Sequence, residues 1–105
     1  MNEPVRRFHI AIGVADIAAS IADYSIRLGC TPIATVAGQY ALWRTDTLNF
    51  SIRLDPTASG KVRHIGWEDP AAIEVSMEHD INGIQWEHFS AELQLDEIKN
   101  IWPTT

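Results

Sequence analysis

The sequence predicts an α+β fold, and three observations lead to it. Strand-length runs alternate apolar and polar residues, apolar stripes at helical spacing follow aspartates, and the opening strand-then-helix pattern starts again after residue 60. The reading is a β-α-β-β-β module over about residues 7–55. A shortened second module, β-α-β plus a C-terminal helix, follows over about 61–102, and the whole of 1–105 is taken as one domain.

The first strand is Arg7 to Val14. Phe8, Ile10, Ile12 and Val14 fall on its apolar face, and Arg7, His9, Ala11 and Gly13 on a small, polar face that need not be core. Asp16 then serves as N-cap for a helix whose stripe is Ile17, Ile21, Tyr24 and Leu28, and Gly29 stops it. Thr31 to Val36 reads as a short strand marked by Pro32, and after a turn at Gly38 a further strand covers Gln39 to Thr45. Leu48 to Leu54 alternates most clearly, with Leu48, Phe50, Ile52 and Leu54 inward and Asn49, Ser51 and Arg53 on the opposite face. Residues 55–60, with Pro56, Ser59 and Gly60, form a loop.

Lys61 to Glu68 repeats the strand pattern. Asp69-Pro70 predicts a helix opening, and Ile73, Met77 and Ile81 at i, i+4 and i+8 extend it to a stop at Asn82-Gly83. Ile84 to Ser90 reads as a strand. Leu95, Ile98, Ile101 and Trp102 mark one face of a last helix before Pro103, while residues 91–95 fit either that helix or an extension of the strand.

Composition narrows the function classes. A net charge of −6 without a basic run disfavours nucleic acid and anionic lipid as partners. The polar start of the chain fits no signal peptide and no apolar run is long enough to span a membrane, so a cytoplasmic location is expected. The single cysteine, Cys30, follows Gly29 without a basic or histidine neighbour to activate it. No nucleophile elbow, phosphate-binding glycine loop or Cys-x-x-Cys pair occurs.

Phe8-His9-Ile10-Ala11-Ile12 and Arg63-His64-Ile65-Gly66-Trp67 hold equivalent places in the two units. Together with Gly13-Val14-Ala15-Asp16, Ser20 and Tyr24 ahead of Leu28-Gly29, the opening resembles the vicinal oxygen chelate superfamily of glyoxalase I, bleomycin-resistance proteins and extradiol dioxygenases. That resemblance implies paired modules whose curved sheets enclose a cavity for a small organic ligand. It also implies metal ligands on the first and last strand of each module. His9 and His64 stand at the two first-strand positions, and Glu87 is the best remaining carboxylate. The set is two imidazoles and one carboxylate, suited to Fe, Zn, Ni or Mn, with Glu87 as ligand or catalytic base. Asn49, Ser51 and Arg53, with Trp43 and Trp67, are the candidate cavity lining, although the first three bring no carboxylate where the resemblance implies a ligand.

Three functions stay open at this level. One is a metal-assisted lyase, isomerase or dioxygenase; another is a metal-free binding or sequestering protein; the last is a dimerisation module without catalysis. Two complete modules need on the order of 120 residues at average element lengths. The shortness of the second module therefore leads to the expectation of a homodimer completing the sheet.

Overall fold

A computed structural model of the chain describes residues 5–103. The first half runs β1 (Arg7–Val14), α1 (Ile17–Leu28), β2 (Ala34–Val36), β3 (Tyr40–Arg44) and β4 (Leu48–Leu54), and a 3-10 turn at Pro56–Ala58 follows. The second half runs β5 (Val62–Glu68), β6 (Ser76–His79), β7 (Gln85–Phe89) and α2 (Ala91–Ile101). The class is α+β: two helices and one mixed, open seven-stranded sheet in the order β2-β3-β4-β1-β5-β7-β6.

Local chemistry sets the helix ends. Asp16 accepts the Ala19 N–H at 3.0 Å, and Gly29 closes α1 at φ 72°, a conformation with little steric cost for a residue without Cβ. Ser90 caps α2 by accepting from the Leu93 N–H, so residues 91–95 belong to that helix.

The two faces of the sheet carry separate cores. On one, the α1 stripe of Ile17, Ile21, Tyr24 and Leu28 packs on Trp43, Phe50 and Ile52, while Trp43 donates from Nε1 to the Ser25 hydroxyl. On the other, Ile98 and Trp102 at the end of the chain meet Val36, Tyr40 and Leu42. Among the described residues no helix is long and apolar enough to cross a membrane. The first four residues of the polar N-terminal stretch lie outside the described residues.

Three expectations are corrected. Instead of two paired modules with separate curved sheets, the halves share one sheet, joined where β1 runs antiparallel to β5. The helix expected between Asp69 and Asn82 is absent. Asp69 caps a turn, accepting from the Ala71 N–H at 2.9 Å, but Ile73, Met77 and Ile81 are exposed, so the supposed stripe has nothing to pack on. The segment becomes β6, paired with β7, and Asn82-Gly83 lies in the turn of that hairpin with Gly83 at φ 79°. Asp80 organises this turn by accepting from the Asn82 and Ile84 N–H groups and from Trp86 Nε1. Finally, the small, polar face of β1 is its more buried one: His9 and Ala11 are inaccessible, whereas Phe8, Ile10 and Ile12 keep partial exposure.

Candidate metal centre

The sheet register brings together residues that are far apart in sequence. His9 on β1 lies opposite Asn49 on the parallel strand β4 and opposite Gly66 on the antiparallel strand β5. Gly66 in turn lies opposite Glu87 on β7. Paired residues project to the same side of a sheet, so Asn49, His9 and Glu87 share one face with Gly66 between the last two. His64 is two residues from Gly66 on the same strand, opposite Ala11, and shares that face. A Cβ at position 66 would collide with the Glu87 backbone carbonyl, so only glycine lets β7 approach β5 this closely.

His9, His64 and Glu87 each offer one ligand atom, and these atoms all lie within 4.8 Å of one another. The two Nε2 atoms are 3.0 Å apart, and His64 Nε2 is 3.1 Å from Glu87 Oε2. Ligands held about 2.1 Å from an ion and at right angles to one another sit about 3.0 Å apart, so both spacings match adjacent positions of one coordination shell. The three residues could hold a metal ion.

A buried network prepares His9 for this role. Its Nδ1–H donates to Asn49 Oδ1 at 2.8 Å, a tautomer assigned from the surrounding hydrogen bonds, which leaves the Nε2 lone pair facing His64. The Asn49 amide is fixed by donating from Nδ2 to Glu68 Oε1 and to Gln94 Oε1, while Gln94 Nε2 donates back to Asn49 Oδ1. Glu68, wholly buried, also receives a bidentate pair from Arg44 at 2.7 and 2.9 Å and a further bond from Arg7. The edge of Phe89 meets the His9 ring with centroids 4.9 Å apart.

Electrostatics follow from this packing. Burial pushes His9 below the usual histidine value, and the neighbouring His64 adds to the effect, outweighing the Asn49 bond and the Glu87 charge. The imidazole is thus biased toward its neutral, metal-binding form. Burial would raise the Glu87 carboxyl, but the His64 hydrogen bond and the charges of His64, His9 and Arg63 bring it below its ordinary value. Burial would likewise raise Glu68, and the Arg44 and Asn49 bonds together with the Arg44 and Arg7 charges lower it overall.

The triad opens on a cavity of about 120 Å³ between the sheet and α2, whose other walls include Tyr40, Ser51, Arg53, Arg63 and Trp102. Burial is the main cause that pushes the Tyr40 phenol up to about 12, so it stays protonated at neutral pH. Ser51 and Arg53 line this space as the alternation of β4 suggests, and the Arg53 guanidinium lies 5.2 Å from the Trp102 ring centroid.

The other expected lining residues are placed elsewhere. Asn49 is fully buried behind His9 and acts through it. Trp43 lies on the α1 side, against Tyr24 and Phe50, and Trp67 packs edge-on to Phe8 on that same side, where it lines a separate pocket. Also on that side, His88 pairs with Asp69 at 2.8 Å and takes no part in the triad.

Arg63, Glu68 and Gln94 were not legible as site residues. Strict alternation puts Arg63 opposite in facing to His64, but the register slips here, with Ala11 paired to His64 and Ile12 to Val62. The resulting bulge brings Arg63 to the cavity wall. For Glu68 the only sequence signal is its facing: it falls on the same side of β5 as His64.

No protein family's sequence pattern matches the chain, and no curated protein matches it. Among solved structures it is similar to the crystal structure of an NAD-dependent benzaldehyde dehydrogenase from Legionella pneumophila. The TM-score is 0.55 at 11% identity, over 79% of this chain and 97% of that one. At this identity the likeness concerns the fold. It corrects the resemblance drawn from the opening motif: this structural relative is named a benzaldehyde dehydrogenase, not a vicinal oxygen chelate protein, so the glyoxalase, bleomycin-resistance and dioxygenase assignment does not stand. The motif is built from common residue types, and the same pattern arises wherever a strand bearing histidine precedes an aspartate-capped helix.

Proposed function

We propose that this chain binds a divalent metal ion through His9, His64 and Glu87 and uses it to hold a small organic molecule in the adjoining cavity. The observation that carries this reading is the convergence of two imidazole nitrogens and one carboxylate oxygen from three strands, with spacings of 3.0 and 3.1 Å. Two nitrogens and one oxygen suit Fe, Zn, Ni or Mn, and three protein ligands leave coordination positions for a ligand oxygen. An ion held there supplies Lewis-acid polarisation of such an oxygen. The chain's own contributions are distinct: Asn49 orients His9, Phe89 restrains its ring, and Gly66 keeps the space between His9 and Glu87 open.

Elemental analysis of protein purified without chelator, beside a His9→Ala/His64→Ala variant, tests the proposal. Near-stoichiometric metal in the native chain and its loss in a variant that retains its circular dichroism are expected. No uptake by the folded native chain after incubation with each of the four metals would overturn it.

A further inference from the structure

We infer that the ligand of this cavity is a short dicarboxylate of three or four carbons, with one carboxylate at the metal and the other between Arg53 and Arg63. The inference rests on the metal reading above and deepens it. Arg6, Arg7, Arg27 and Arg44 are each engaged in an ion pair. Arg53 and Arg63 form none among the described residues, and both face the same cavity. In a chain of net charge −6, two guanidiniums on one wall without a carboxylate at ion-pair distance are a local exception; Glu97 acts on both and Glu87 on Arg63 only from further off, and guanidinium is the side chain best matched to a carboxylate. Arg63 reaches that wall only because of the bulge at Ala11/Ile12, and bulges commonly re-aim a side chain beside a site. Trp102 backs Arg53 from one side, which limits its freedom without neutralising it.

Position and charge narrow the shape of the ligand. Ser51 is level with Ala11 and hence with His64, and Arg53 stands two residues further along β4, level with Gly13. Two strand residues span about 7 Å, so the metal end and the guanidinium end are separate. The cavity of about 120 Å³ is partly open to solvent and suits a small ligand, and the separation of its two ends sets the length at a few carbons. Charge agrees: two guanidiniums and a divalent ion face two carboxylates, Glu87 and Glu97, leaving two positive charges for a dianion.

The test begins with metal content and then titrates malonate, succinate and propionate into the metal-loaded full chain by calorimetry, with Trp fluorescence in parallel. Saturable binding of malonate or succinate is expected, with propionate weaker by about tenfold or more, the loss of one charge-assisted contact. Arg53→Gln and Arg63→Gln should each weaken dicarboxylate binding by about tenfold while the metal is still taken up. Removing the metal should have at least as large an effect.

If the chain holds metal yet binds no dicarboxylate up to about 10 mM, the dicarboxylate assignment falls and the metal reading stands. Dicarboxylate binding unaltered in an Arg53→Gln/Arg63→Gln variant overturns the assignment too. If the chain takes up no metal, the metal reading falls and the two-ended ligand falls with it.

Discussion

Asn49 shows what a single residue can and cannot disclose. Alternation along Leu48 to Leu54 correctly separates Asn49, Ser51 and Arg53 from the apolar face. It does not say that Asn49 is covered by His9 and Gln94 while its neighbours two and four residues on reach the cavity. That distinction depends on α2 crossing the sheet, which no local pattern encodes. Glu68 is harder still to read, because its role requires Arg44 from β3, Asn49 from β4 and Arg7 from β1 at once.

Its partners give Glu68 a pH signature. Its folded-state pKa lies below the ordinary 4.5, so its contribution to stability is fully present above that value and is lost as pH falls through the lower folded value. Glu68→Gln should therefore flatten the acid limb of the stability profile below about pH 5. At neutral pH the substitution should cost about 2–3 kcal/mol, less than a fully buried pair because the Arg44 side chain is 34% exposed. Urea midpoints from pH 3 to 7 for both proteins measure each effect; parallel profiles would refute the assignment.

At the scale of elements, the first half of the chain is read well because each signal there has a partner. The α1 stripe meets an apolar sheet face, and its aspartate and glycine caps are both used. The stripe between Asp69 and Asn82 has the same helical spacing and no surface to receive it. Pairing with β7 satisfies the backbone there instead, as Asn82-Gly83 allows. Gly66 is the element-scale determinant of the site, since it sets how closely β5 and β7 approach. Gly66→Ala should push β7 outward, cost about 1–3 kcal/mol as overpacking does, and abolish metal uptake even in chains that remain folded. Metal content of the folded fraction checks this; normal uptake would show that the Glu87 position does not depend on Gly66.

At the scale of the molecule, the triad links strands from both halves, and the shared mixed sheet is what makes that link possible. A metal that binds only this arrangement stabilises the fold by mass action. At a free concentration one hundred times its dissociation constant the gain is about 2.7 kcal/mol, which for a chain of this size raises the melting temperature by on the order of 10 °C. Differential scanning fluorimetry with and without metal reads the shift, and a His64→Ala variant should show none.

The central β1–β5 seam also governs the order of events during folding. His9 and His64 are separated by 55 residues, so joining them requires closing a loop of about half the chain. The entropic cost of that closure must be met before the contact returns anything. Sheets dominated by such non-local pairings fold slowly. β1 through β4 can assemble around α1 while the second half is still unordered, but such an intermediate carries His9 without His64 or Glu87. Under the proposed metal reading, competence to bind the ion is acquired late, and the moment of metal capture in a stopped-flow refolding trace would mark the docking of the two halves.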